Sequence, residues 1–166
     1  FFIKGLRSKK WLQERGCHIW DEWANPQKAP YGHTADARLK MLQEDDLGLV
    51  YGTQWRDFCD PTYYLNQHNR SSRNNGVDQL QNIVDTLKKN PQDRRMICSA
   101  WNPLALKHMA LPPCHFAWQV SVIGGKLNLS WVQRSCDYPL GIPYNIASYG
   151  LLLHLLAKEG GFEEGT

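Results

Sequence analysis

No stretch of this chain comes near the roughly 20 consecutive apolar residues that a membrane-spanning helix needs. Cysteine is scarce and awkwardly counted: five residues, Cys17, Cys59, Cys98, Cys114 and Cys136, with no C-x-x-C pair. An odd number without close pairs suits neither a disulfide framework nor a cysteine-based zinc site, so a reducing, cytoplasmic setting is expected. His18, His33, His68, His108 and His154 show no ligand spacing, and no metal is expected. G-x-x-x-x-G-K-[ST], G-x-G-x-x-G and H-E-x-x-H are all missing, which removes the phosphate-loop, dinucleotide and zinc-peptidase readings. Runs of like charge are absent too. The net charge of +3 favours a small phosphorylated ligand over nucleic acid or a membrane surface. Phe1 to Leu6 lacks a basic n-region and a cleavage site, so no secretory signal is expected there.

What is present fits one domain. The chain has 166 residues, 42% hydrophobic and 21% charged, enough for a single core and too few to expect two. It opens without Met on Phe1-Phe2-Ile3 and stops soon after a strongly apolar helical stretch that needs partners. It is therefore expected to be the central part of a longer protein. Phe1 to Arg15 reads as helical, ended by Gly16, and one helical turn is expected around Arg38 to Gln43 within a polar loop. Cys59 to Gly76, rich in Asn, Arg and Ser, reads as a mobile surface loop. Val77, Leu80, Ile83, Val84 and Leu87 form one stripe of a helix from Val77 to Asn90, stopped by Pro91. Arg95 to Trp101 reads as a strand. Phe116, Trp118, Val120 and Val122 alternate along a second, and Gly124-Gly125 turns into a third carrying Leu127, Leu129 and Trp131. A last helix, Ile146 to Lys158, is apolar nearly all round and expected to be buried.

Five groups of residues have chemistry to offer. Leu111-Pro112-Pro113-Cys114-His115 holds a thiol between two strands, with the prolines stiffening its approach. A thiol is a nucleophile only when ionised, and its free pKa is about 8.5, so it needs nearby positive charge. A lone cysteine is more often buried and inert. Gln133-Arg134-Ser135-Cys136-Asp137 offers a forked cation and a hydroxyl suited to phosphate, or equally a surface turn with an Arg–Asp pair. Adjacent Arg94 and Arg95 would point to opposite faces of a strand. They suit a solvated edge, or phosphate binding across a dimer interface. In Leu140 to Asn145, Gly141 lets a flat ligand approach, and the Asn145 amide pairs one donor with one acceptor, as uracil requires. A plain N-cap role for Asn145 is as compatible with its position. Trp20 and Trp23, with Ile19 and Tyr51, form either a stacking surface for a heteroaromatic cofactor or part of the core.

In this order the segments strongly resemble thymidylate synthase. The matching stretches are HIWDEWA (18–24), LGLVYGTQWRDF (47–58), DRRMICSAWNP (93–103), MALPPCH (109–115) and QRSCDYPLGIPYNIASY (133–149). The resemblance implies one α/β domain over residues 1–166, an α+β mixed sheet, and a homodimer joined sheet to sheet. It implies that Cys114 attacks carbon 6 of the uracil of dUMP, and that carbon 5 then takes a one-carbon group from methylenetetrahydrofolate. Hydride transfer would yield dTMP and dihydrofolate. Arg134 and Ser135 would hold the phosphate, Arg94 and Arg95 would reach the partner's phosphate, and Gln133 and Asn145 would bind the nucleotide and its base. Ile19, Trp20, Trp23, Leu111, Asp137 and Gly141 would line the folate site, and Tyr51 and His115 would support the hydrogen bonds around the nucleophile.

The chain also departs from the family's pattern. Tyr138-Pro139 replaces an apolar and a bulky residue, and Leu6-Arg7-Ser8-Lys9 replaces an Asp-Thr-Asn turn. The family's N-terminal arginine loop, its proton-relaying glutamate, its histidine–tyrosine segment and its closing tail fall outside the sequence. Two other readings therefore stand beside the synthase. One is a phage-type dUMP hydroxymethylase, whose cytosine-specific members have Asp where this chain has Asn145. The other is an inactive piece that binds nucleotide or RNA, although the weak charge argues against RNA as the main partner.

Overall fold

The computed structural model describes residues 1–59 and 76–166. They gather into two compact units, one of Phe1–Asp78 and Ala100–Pro113, the other of Gln79–Ser99 and Cys114–Thr166.

The first unit is mostly helical turns tied together by polar side chains. After a short 3-10 turn at Phe2–Lys4 and a left-handed Gly5, helix α1 spans Lys9–Gln13, with the Ser8 side chain accepting the Trp11 amide at its start. The expected helix from Phe1 is thus two pieces broken at Gly5. Helix α2 spans Ala35–Gln43, longer than the single turn expected, because Thr34 caps the Ala37 amide and Asp36 sits in the first turn. Helix α3 spans Tyr51–Arg56, five of its six residues buried. A bridge between Gly48 and Met109 joins the approach to α3 to the segment that leads to Leu111. Gly48 lies at φ 79° directly over the His108 carbonyl, where a Cβ would collide with the oxygen, so only glycine fits.

The second unit is a four-stranded mixed sheet with helices against it. Helix α4, Gln79–Lys89, buries Leu80, Ile83 and Leu87 of the expected stripe, with Val84 half-buried. Val77 lies outside the helix and exposed. Each such leucine side chain stabilises the fold by about 2 kcal/mol on burial. The strands are β1 (Ile97–Ser99), β2 (His115–Ile123), β3 (Lys126–Gln133) and β4 (Glu163–Glu164), in that spatial order. The first two pairings are antiparallel, and β3–β4 is parallel. Gly124 and Gly125, at φ 59° and 80°, make the tight hairpin foreseen between β2 and β3. Strand β1 is shorter than expected, and Arg94 and Arg95 lie in the turn before it, so the strand-face conflict between them does not arise.

Two corrections bear on the site. The alternation expected from Phe116 breaks at a bulge between His115 and Ala117, where the pairing passes from His115↔Gln133 to Ala117↔Val132. Phe116 is the extra residue. His115 takes the buried position, in line with Trp118, that strict alternation would give to Phe116. The last helix, α5, spans Gly141–Gly160 and begins five residues before the expected start. Asn145 is therefore inside it and is not its cap. Pro143 is tolerated because a first-turn amide has no intrahelical acceptor to lose. Helix α5 buries Tyr149, Leu152, Leu153, Leu156 and Ala157 on one side only. Leu151, at 60% exposed, stands with Tyr144 and Leu155 on an open apolar side, which corrects the expectation of burial all round. The Cys59 to Gly76 loop expected from composition falls almost wholly outside the described residues.

Candidate active site

The open end of the β2–β3 hairpin assembles the thiol and its cation. Cys114 directly precedes β2 and Arg134 directly follows β3, and the Arg134 amide donates to the Cys114 carbonyl at 2.9 Å. That bond continues the ladder by one step and fixes the two residues opposite each other. It leaves Arg134 Nη2 3.9 Å from Cys114 Sγ, with the guanidinium exposed and the thiol half-buried. A forked cation thus stands within reach of the sulfur. Ser135 follows, exposed, in the same loop.

Behind the thiol lies a chain of aromatic and polar contacts. His115 Nδ1 is 2.8 Å from the Tyr149 hydroxyl, and the two rings meet edge to face. Burial pushes the His115 pKa down to about 4, so the ring is neutral at physiological pH. Tyr149 in turn stacks on Trp131, with centroids 5.0 Å apart and planes 9° from parallel. The Trp131 indole donates to Gln133 Oε1 at 2.9 Å, and Gln133 Nε2 reaches the Ser135 carbonyl at 3.4 Å. This network ties the residue after Cys114 to the loop that carries Arg134 and Ser135.

Tyr149 is the member that motif reasoning did not single out, although it closes the matched segment 133–149. The available signal was helical spacing. Gly141, Asn145 and Tyr149 recur every four residues and share one face of α5. Since Tyr149 packs on Trp131 and His115, the half-buried Asn145 stands one turn nearer the helix start on that face.

Asp137 is engaged by the start of α5. Its carbonyl accepts the Gly141 and Ile142 amides, and its carboxylate accepts the Leu140 amide at 3.1 Å. These bonds close the turn containing Tyr138 and Pro139, with Tyr138 exposed. A Cβ on Gly141 would meet Asp137 Cβ at 3.3 Å, so the turn closes tightly there. Arg95 is also engaged. Its fork grips the Asp93 carboxylate at 2.9 and 2.7 Å, and together with the Arg95 amide it holds the Asp93 pKa down at about 2. Arg94 is exposed beside it, and its carbonyl accepts a hydrogen bond from Gln119 Nε2 at 3.3 Å.

The remaining candidates belong to the first unit. Tyr51 is buried at the start of α3, its ring against Phe2 and edge-on to Trp20 at 6.3 Å. Trp23 packs on Tyr31, and the Tyr31 hydroxyl donates to the Ala110 carbonyl beside the half-buried Leu111. Ile19 projects into solvent at 69% exposure. Among the described residues no group of His, Cys, Asp or Glu is arranged to hold a metal, and no helix is long and apolar enough to cross a membrane.

The family model described as thymidylate synthase matches residues 1–166. The chain is 47% identical over 165 residues to a bifunctional dihydrofolate reductase-thymidylate synthase of Paramecium tetraurelia, covering 96% of this chain and 33% of that protein. It is 44% identical over 158 residues to the bifunctional dihydrofolate reductase-thymidylate synthase of Zea mays, covering 95% of this chain and 29% of that protein. With its thiol–guanidinium hairpin and mixed sheet, the chain belongs to the thymidylate synthase family. It spans about a third of the length of the curated relatives it matches.

Proposed function

We propose that these 166 residues are one domain of an enzyme that converts dUMP to dTMP with methylenetetrahydrofolate. The observation that carries the reading is the 3.9 Å approach of Arg134 Nη2 to Cys114 Sγ at the hairpin's open end. In this reading the Cys114 thiolate adds to carbon 6 of uracil, and the electron pair of the 5,6 bond moves onto carbon 5 and the carbon 4 carbonyl. Carbon 5 is then the nucleophile that accepts the new carbon. Loss of the carbon 5 proton and expulsion of Cys114 restore the ring. Arg134 and Ser135 hold the nucleotide phosphate, while Gln133 and Asn145 read the nucleotide and its base. His115, neutral and fixed by Tyr149, keeps the position next to the nucleophile rigid and uncharged, and Tyr51 belongs to the same hydrogen-bonding function.

Ile19, Trp20, Trp23, Leu111, Asp137 and Gly141 are assigned to the folate. The half-buried Trp20 and the exposed Ile19 suit a flat heteroaromatic ring, since they offer apolar surface and no charge. When bound, the folate supplies the carbon and the hydride that completes the methyl group. A homodimer joined through the sheet, with Arg94 and Arg95 reaching the partner's phosphate, completes the proposal. It requires Arg95 to share its fork between Asp93 and phosphate. The cysteine pattern supports a cytoplasmic setting.

The test uses the intact protein of which this domain is part, supplied with dUMP and methylenetetrahydrofolate. Dihydrofolate absorbance rising in step with thymidylate is expected. Tetrahydrofolate with a 5-hydroxymethyl nucleotide would replace this reading with the hydroxymethylase, and nucleotide binding without product would replace it with the inactive binding module.

A further inference from the structure

Lys9 is an unusual residue to bury. It is only 2% exposed, and its ammonium has no carboxylate within hydrogen-bond reach among the described residues. Its three protons go to three backbone carbonyls: Asp21 at 2.8 Å, Trp23 at 3.2 Å and Met41 at 2.6 Å. Taking an ammonium out of water is unfavourable, and an apolar side chain of equal length would fill the space at less cost. Something other than packing is gained at this position.

The gain lies in what the three carbonyls belong to. Cys17 to Ala24 has no helix or strand of its own. It is held by isolated turns, Asp21 N–H to His18 carbonyl and Trp23 N–H to Trp20 carbonyl, so its shape is imposed from outside. Helix α1 supplies that restraint twice. Lys9 takes the main-chain oxygens, and one turn later Gln13 Nε2 donates to the Asp21 carboxylate at 2.8 Å. Lys9 ties the turn to α2 as well, through Met41. Arg7 and Ser8, beside it, are locked to Asp46 and Asp45, so the anchor is itself fixed. The segment Leu6-Arg7-Ser8-Lys9, which departs from the family's pattern, is therefore a clamp on the turn that carries Ile19, Trp20 and Trp23.

We propose that Lys9 is a positioning residue for folate, its buried ammonium setting the backbone from which Ile19, Trp20 and Trp23 present their apolar surface. This rests on the folate assignment made above and goes beyond it, since Lys9 itself touches no ligand. The intact protein decides it. Lys9→Met keeps the stem and removes the three donors, and Lys9→Gln keeps an amide donor. The KM for methylenetetrahydrofolate is expected to rise about tenfold in Lys9→Met, and by less in Lys9→Gln. The kcat and the covalent capture of fluorodeoxyuridylate should stay within about twofold, the pattern of lost ground-state binding. An unchanged folate KM in a folded variant overturns the proposal. So does nucleotide capture falling in step with folate affinity, which would mean a general structural role. If Lys9→Met does not fold, Lys9→Gln carries the same comparison. If the wild-type protein makes no thymidylate, the proposed function fails, and amide exchange at Trp20 to Trp23 still decides the clamp. Exchange about tenfold faster in Lys9→Gln supports it, and unchanged exchange overturns it.

Discussion

The buried imidazole beside Cys114 makes stability depend on pH in a direction and amount that the structure sets. Burial lowers the His115 pKa from 6.5 in the unfolded chain to about 4 in the fold. Between those values the unfolded chain binds a proton that the fold refuses. The stabilisation is therefore complete above pH 6.5 and is lost as pH falls toward 4. Each pKa unit is worth about 1.4 kcal/mol, and between pH 7 and pH 5 the unfolded state gains most of one proton, so the second unit should lose about 2 kcal/mol. The assay is hydrogen exchange of β2–β3 ladder amides such as Gln119 and Ser130, the pair that alternates with Val120 and Leu129, whose own amides donate outward to the Met96 and Thr166 carbonyls. Their protection, corrected for intrinsic exchange, should fall by about twentyfold from pH 7 to pH 5. His115→Gln, which cannot titrate, should remove that share of the pH dependence and leave the contribution of every other group. An equal loss of protection in the variant, or an imidazole signal from His115 that titrates near 6.5, would refute the argument.

Two further outcomes concern the chemistry. Cys114→Ser should abolish covalent capture of fluorodeoxyuridylate, because a hydroxyl beside Arg134 does not ionise as a thiol does. Capture at the wild-type level, read by mass spectrometry of the intact protein, would remove Cys114 from its role. Asn145→Asp should shift the preference from deoxyuridylate toward deoxycytidylate, by at least tenfold in the ratio of kcat/KM values, because a protonated carboxyl matches cytosine's pattern of donor and acceptor. An unchanged ratio would mean that Asn145 does not read the base.

The sequence disclosed those features whose physics is local. Leu80, Ile83 and Leu87 recur at helical spacing and bury as expected, and Gly124-Gly125 makes its turn because only glycine takes two positive φ angles at no cost. Cys114 and Arg134 were legible as separate motifs. Their meeting was not, because it depends on the register of two strands counted outward from that turn. The bulge at Phe116 was hidden for the same reason: alternation is read by counting, and one extra residue inverts everything beyond it. Asn145 reads as an N-cap and so places the start of α5 late, whereas the first turn of the helix accepts Gly141 and Pro143. Its open side escaped notice because composition gives the apolarity of a helix but not the number of its neighbours. Lys9 stood out only as a departure from a family pattern, since nothing in a lysine's local sequence announces that three distant carbonyls will converge on it.

The bulge also limits how this site can be moved or redesigned. Regularising the strand by deleting Phe116 keeps His115 across from Gln133 but removes the irregular step that sets the twist and aim of the thiol. Inserting a residue there to lengthen the strand changes its parity and sends the imidazole to the other face of the sheet. Any effort to graft the hairpin into another scaffold must therefore carry the irregularity as part of its geometry. An idealised strand with the same side chains would be a better strand and a different site.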